Sequence, residues 1–208
     1  MPGVSWTKGN DFLDPMNATT MDTTRPGRII LLHGASSSGK STLSKAIQQG
    51  LDEPFLHFTS DYLSLGLPAR REKSGPFQWW GHRRPRFFDG LQKSIATFAW
   101  AGNDLIVDHI IECPEWRVEL SQLLRPFDVV LVGVHCELEE LERRERVRGD
   151  RYLGEGRSHV IDDGIHSFGP YDCDVDTTNR EPPAVASEVI GCWRRRSMSV
   201  LFHNKPAS

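Results

Sequence analysis

Residues 29–42 read Ile-Ile-Leu-Leu-His-Gly-Ala-Ser-Ser-Ser-Gly-Lys-Ser-Thr: an apolar run, a GxxxxGKS turn, then a helix-forming stretch from Lys40. No other segment narrows the possible folds as far. A buried strand that enters such a turn and leaves as a helix curls its backbone until successive N–H groups converge, with the positive end of the helix dipole behind them. Gly34 and Gly39 permit the curl, and Ala35, Ser36, Ser37 and Ser38 contribute amides between them. The loop from Gly34 to Thr42 is therefore predicted to cradle a polyphosphate, with Lys40 reaching the β- and γ-phosphates and Ser41 a Mg²⁺ ion. This motif fixes a nucleoside triphosphate, not a reaction.

The remainder alternates short apolar runs with longer periodic ones, the pattern of a parallel sheet between helices. Predicted strands cover 29–33, 55–59, 105–108, 129–134 and 173–177, and their unbroken hydrophobicity implies burial on both faces. Predicted helices cover 40–49, 86–101, 115–124, 137–148 and 184–196, with a further helix expected around 157–167. Gly102 is placed as a C-cap, and Pro114 and Pro182 sit where helices should start. The expected fold is a three-layer α/β/α P-loop kinase domain over 28–208, with a parallel five-stranded sheet and a helical lid. Residues 1–27 read as a flexible lead without signal-peptide or transit-peptide character, and Met16 and Met21 are alternative starts.

Composition removes several function classes. Twenty-five Lys and Arg against 28 Asp and Glu leave a net charge of −3, which argues against a general nucleic-acid or anionic-membrane binder. No stretch has the apolar length to cross a bilayer. Cys113, Cys136, Cys173 and Cys192 lie far apart without a CxxC pair, so they read as buried small hydrophobes in a reducing cytosol, not as a zinc site or disulfide framework.

Four further segments carry candidate chemistry. Asp61 stands just past the second predicted strand, at the sheet edge where ligands bind; it can accept a proton from an attacking hydroxyl, or it can, like Ser60, cap a helix starting at Tyr62. Asp108 ends the apolar run 105–108 and can approach Mg²⁺ with Ser41, while the His109 that follows reads as structural or as touching substrate. Arg144 and Arg148 are four apart on one helix face, where they can close over a triphosphate or take part in ion pairs such as Glu140–Arg144. Residues 67–88 interleave basic and aromatic side chains, open to three readings: an acceptor pocket, a single-strand stacking surface, or an amphipathic cover. Thr177 and Thr178, after the fifth strand, either hydrogen-bond adenine or form a turn before Pro182.

Taken in order, GASSSGKST, the FTSD block ending at Asp61, the GVHC strand running into ERVRGDR, and DVDTTNRE resemble the chloramphenicol phosphotransferase-like family of P-loop kinases over 28–181. The resemblance implies transfer of the ATP γ-phosphoryl group to a hydroxyl of a small molecule, an antibiotic of chloramphenicol type, in the cytoplasm. It places the base at Asp61 and the lid arginines at Arg144 and Arg148, with Arg151 in the RGDR block. His109 stands where chloramphenicol-modifying members carry a second Asp. Shikimate kinases would show DxD where Thr59-Ser60-Asp61 stands, and zeta-toxin-like nucleotide-sugar kinases an Arg shortly after Asp61. A nucleotide-binding regulatory protein without an acceptor is the rival from another class.

Overall fold

The computed structural model describes residues 25–64, 76–148 and 153–202, with backbone alone for 76–82. Five strands, β1 (Arg28–His33), β2 (Leu56–Thr59), β3 (Leu105–His109), β4 (Asp128–His135) and β5 (Cys173–Asp176), form one parallel sheet in the order β2-β3-β1-β4-β5. Around it lie α1 (Lys40–Gly50), α2 (Ser60–Ser64), α3 (Pro76–Trp100), α4 (Pro114–Leu123), α5 (Leu138–Arg148), α6 (Glu155–Ile161) and α7 (Pro182–Arg194). Among the described residues no helix is long and apolar enough to cross a membrane.

Alternation along the central strands divides the core between two layers. Ile30, Leu32, Ile106, Val130 and Val132 face one side with Leu43 and Ile47 of α1 and Val189 and Trp193 of α7. Ile29, Leu31, Leu105, Val107 and Val129 face the other with Ile95 and Ala99 of α3 and Leu120 of α4. Each such fully buried aliphatic side chain contributes about 1.5–3 kcal/mol. The predicted two-sided burial holds for β1, β3 and β4 but fails at both sheet edges, where neighbours cover one side only: in β2 Thr59 alone is buried, and β5 alternates buried and exposed residues.

Helix punctuation behaves as expected at three points. Pro114 and Pro182 occupy first helical positions, and Gly102, at φ 89°, closes α3 with its N–H donating to Ala99 O. Three expectations need correction. The third helix begins at Pro76, not Arg86, and continues through Pro85, because proline at one position removes a single backbone donor within a 25-residue helix. Helix α2 starts at Ser60, with the Asp61 N–H donating to Thr59 Oγ1, so neither Ser60 nor Asp61 is the cap. The expected helix around 157–167 divides into α6 and a 3₁₀ turn at Ile165–Ser167, with Gly164 at φ 58° between them. Beyond the described residues lie 1–24 of the expected lead, while Arg25 and Arg28 both bind Asp104 at the start of β3.

Candidate active site

The carboxyl ends of β1, β2, β3 and β4 meet above the sheet, and the loop after β1 fills the centre. Ser37 and Gly39 turn there with φ of 62° and 90°, a left-handed pair that folds the loop back on itself. Gly34 is equally constrained, since a Cβ on it would lie 2.3 Å from the backbone oxygen of Val134. Ser37 Oγ and Ser38 Oγ are buried without a hydrogen-bond partner, as fits hydroxyls in a cradle for an oxygen-rich anion.

Lys40, only 7% exposed, donates to Gly34 O at 2.9 Å and Ala35 O at 2.7 Å, and its Nζ lies 3.9 Å from Asp108 Oδ1. Ser41 Oγ donates to Asp108 Oδ2 at 2.6 Å, bringing together the two residues predicted to hold Mg²⁺. Burial alone would raise the Asp108 pKa, but the Lys40 ammonium, His57 and the Ser41 hydroxyl outweigh it and hold the carboxyl ionised below its ordinary value. Oxygen donors of this kind suit Mg²⁺, which takes few protein ligands alongside phosphate and water. Among the described residues no group of three or more His, Cys, Asp or Glu is arranged for a metal.

Two cavities adjoin at this loop. A cleft of about 570 Å³ is lined by Gly39, Thr42, Arg144, Arg148, Thr177 and Pro182 among others. A smaller cavity of about 90 Å³ contains Lys40, Ser41, Asp61, Asp108, His109 and Arg148, and shares Ser37, Gly39 and Thr42 with the cleft. Arg148 thus lies where the two meet, on the same helix face as Arg144. The expected ion pair of Arg144 forms: its Nε donates to Glu140 at 2.7 Å, while Nη1 and Nη2 donate to Thr177 Oγ1 at 3.1 Å and Thr177 O at 2.8 Å. Thr177 is placed in the site in a different role from base recognition. Its hydroxyl donates to Ser38 O at 2.7 Å and so clamps the phosphate loop to the end of β5. Thr178 Oγ1 accepts from the Glu137 N–H.

Behind His109, which lines the small cavity together with Asp61, lies an aromatic cluster. His109 packs parallel to Trp116 at 14° and within 6.0 Å of Phe88, and Arg84 lies over Phe88 while pairing with Glu112. Burial lowers the His109 pKa to about 4 despite the neighbouring Asp108 carboxylate, so the ring is neutral at pH 7. Of the interleaved segment 67–88, residues 67–75 and the side chains of 76–82 lie outside the described residues, as does Arg151.

Three contributors escape a reading of the sequence. Glu145, 1% exposed, accepts from the N–H groups of Gly154 and Gly156 and fixes the start of α6. His159 of that helix accepts from the Ser36 N–H, and Glu155 from Ser36 Oγ, so α6 rests on the phosphate loop. A cluster of glutamates on a charged helix gives no sign of which one is buried.

Comparison with known proteins agrees with this arrangement. The sequence pattern of the chloramphenicol phosphotransferase-like protein family matches residues 27–194. A Mycobacterium tuberculosis H37Rv protein named "putative O-phosphotransferase" is 29% identical over 203 residues, covering 85% of this chain and 87% of the relative. The M. tuberculosis APS kinase CysC, solved with AMPPNP and APS, superposes with a TM-score of 0.58 at 22% identity, over 82% of this chain and 99% of that one. Shikimate kinase from Acinetobacter baumannii, solved with shikimate, gives 0.57 at 14% identity, over 85% and 97%. These two structures establish the shared P-loop kinase fold.

Proposed function

The chain belongs to the chloramphenicol phosphotransferase-like family, and from that premise we propose that it transfers the γ-phosphoryl group of ATP to a hydroxyl of a small molecule. The observation that carries the reading is the joint lining of one small cavity by Lys40, Ser41, Asp61, Asp108 and Arg148. On this reading a base, a polyphosphate cation and a Mg²⁺-binding pair share the lining of that one cavity.

In this reading the loop amides and Lys40 bind the β- and γ-phosphates, with the ammonium leaving the carbonyls of Gly34 and Ala35 for the anion. Ser41 and Asp108 hold Mg²⁺, which when bound neutralises phosphate charge. Asp61 takes the proton of the acceptor hydroxyl, whose oxygen then bonds to the γ-phosphorus as the bond to ADP breaks. Arg144 and Arg148 stabilise the charge on the transferring group. We assign the acceptor to hydroxylated antibiotics of chloramphenicol type, so that phosphorylation inactivates the drug in the cytoplasm.

The test is incubation with Mg-ATP and a panel of chloramphenicol, other hydroxylated antibiotics and nucleotide sugars, following ADP release and product mass. One antibiotic should gain phosphate, and Asp61→Asn should slow that transfer about 10²–10⁴-fold with little change in ATP affinity. Phosphate on a nucleotide sugar would replace the acceptor class. ATP binding without transfer to any compound would replace the enzyme reading with a nucleotide-binding regulator.

A further inference from the structure

Cys173 opens β5 and Cys192 lies near the end of α7, 19 positions later, yet their Sγ atoms are 2.6 Å apart. The expectation of isolated buried thiols therefore fails for this pair, because β5 and α7 run side by side in the same core layer. The covalent S–S length is about 2.05 Å, so the two sulfurs need approach by only about half an ångström. We propose that Cys173 and Cys192 are a redox modification site, forming a reversible disulfide when the protein meets a hydroperoxide.

The two thiols are not equivalent. Cys173 is buried, and burial pushes its pKa up, whereas Cys192 is partly exposed. Cys192 therefore reacts first: its thiolate attacks the peroxide, the O–O bond breaks, and a sulfenic acid and one hydroxide form. Cys173, giving up its proton, then attacks that sulfur and expels the second hydroxide. Two thiols lose two electrons in total, and the hydroperoxide is reduced to water, or to water and an alcohol. Cys113 and Cys136 are also free but are not paired with another thiol, so they have no intramolecular resolving partner.

The ring so closed contains one wall of the nucleotide cleft. Thr177, Asn179, Glu181, Pro182 and Val185 all lie between the two cysteines and line it. The disulfide would make this wall a covalent loop anchored at both ends, holding the Thr177 clamp on Ser38 against opening of α7. This is a transient sensor bond of the kind found in reducing compartments, not a structural one.

The experiment treats the full chain with hydrogen peroxide, alkylates remaining thiols and measures intact and peptide masses. We expect the loss of two hydrogens, with Cys113 and Cys136 still alkylated. Trypsin cuts after Arg180, between the two cysteines, so their peptides should travel together until dithiothreitol separates them. Oxidation should raise Tm on the order of 5 °C, reversibly, and Cys192→Ser should abolish both changes. Cys192 over-oxidised without a crosslink, or a crosslink through Cys113 or Cys136, would overturn the proposal. Full alkylation of Cys173 and Cys192 after treatment would do the same. Because the wild-type masses decide the matter, the result stands whether or not Cys192→Ser folds well, and whether or not the acceptor reading above survives.

Discussion

The loop that carries Lys40 and the ring cluster behind His109, proposed above as the phosphate and acceptor sides, are built by different means. On the phosphate side Lys40 bonds to carbonyls five and six residues away, the loop turns through Ser37 and Gly39, and buried hydroxyls point into it. Behind His109 of β3, which lines the cavity, Arg84 and Phe88 come from α3, Glu112 from the turn before α4 and Trp116 from its start. A polyphosphate presents the same oxygens in every nucleotide, so one loop of backbone amides suffices. An acceptor alcohol differs from enzyme to enzyme, and its recognition is left to side chains on separate elements.

This contrast can be broken most severely at Lys40. Lys40→Met should remove the phosphate cation and reduce transfer at least about 10²-fold, read as kcat/KM for ATP with the acceptor in excess. Next comes Thr177→Val, which deletes the donor to Ser38 O and one anchor of Arg144 without altering the loop itself. We expect about a tenfold weaker ATP affinity, from loss of roughly 1.4 kcal/mol of buried hydrogen bonding, measured by calorimetry. Arg84→Ala sharpens the comparison from the other side: acceptor KM should rise a few-fold while ATP affinity is unchanged, and an equal effect on both would erase the distinction.

The smallest effect concerns acid. Burial, with His135 beside it, lowers the His166 pKa from 6.5 to about 4, so the folded protein holds this ring neutral where the unfolded chain protonates it. A depressed histidine pKa gives stability that is complete above 6.5 and lost as the pH falls towards 4. Tm should fall through that window, and His166→Gln should flatten the slope; an unchanged slope would show that other groups dominate.

Much of this architecture is legible in the residues themselves. The buried strands β1, β3 and β4 announce themselves as apolar blocks because both faces are covered, and the phosphate loop because its geometry demands glycine at two places. Interactions between distant segments are not announced. The Thr177 hydroxyl finds Ser38 139 positions away, and in sequence it reads equally well as a turn residue or a base contact. Glu145 is one glutamate among several on α5, and nothing in the sequence marks it as the buried one. The helix expected from Arg86 runs back to Pro76, through Pro85, because one proline removes a single backbone donor from a 25-residue helix. Cys173 and Cys192 look isolated until the fold lays α7 beside the edge strand β5.

Asp104 sits at the amino-terminal end of β3 and takes hydrogen bonds from Arg25 and Arg28, with its carboxyl pKa held to about 2, where burial would raise it but the two guanidiniums prevail. That anchor lies at the opposite end of the strands from Asp108 and His109. Arg25, exposed at that rim, is therefore a handle on the far side of the sheet from the loop after β1: a bead or sensor chip attached there would leave that loop facing outward, and a pull would load the amino-terminal rim of the strands before it reached Lys40.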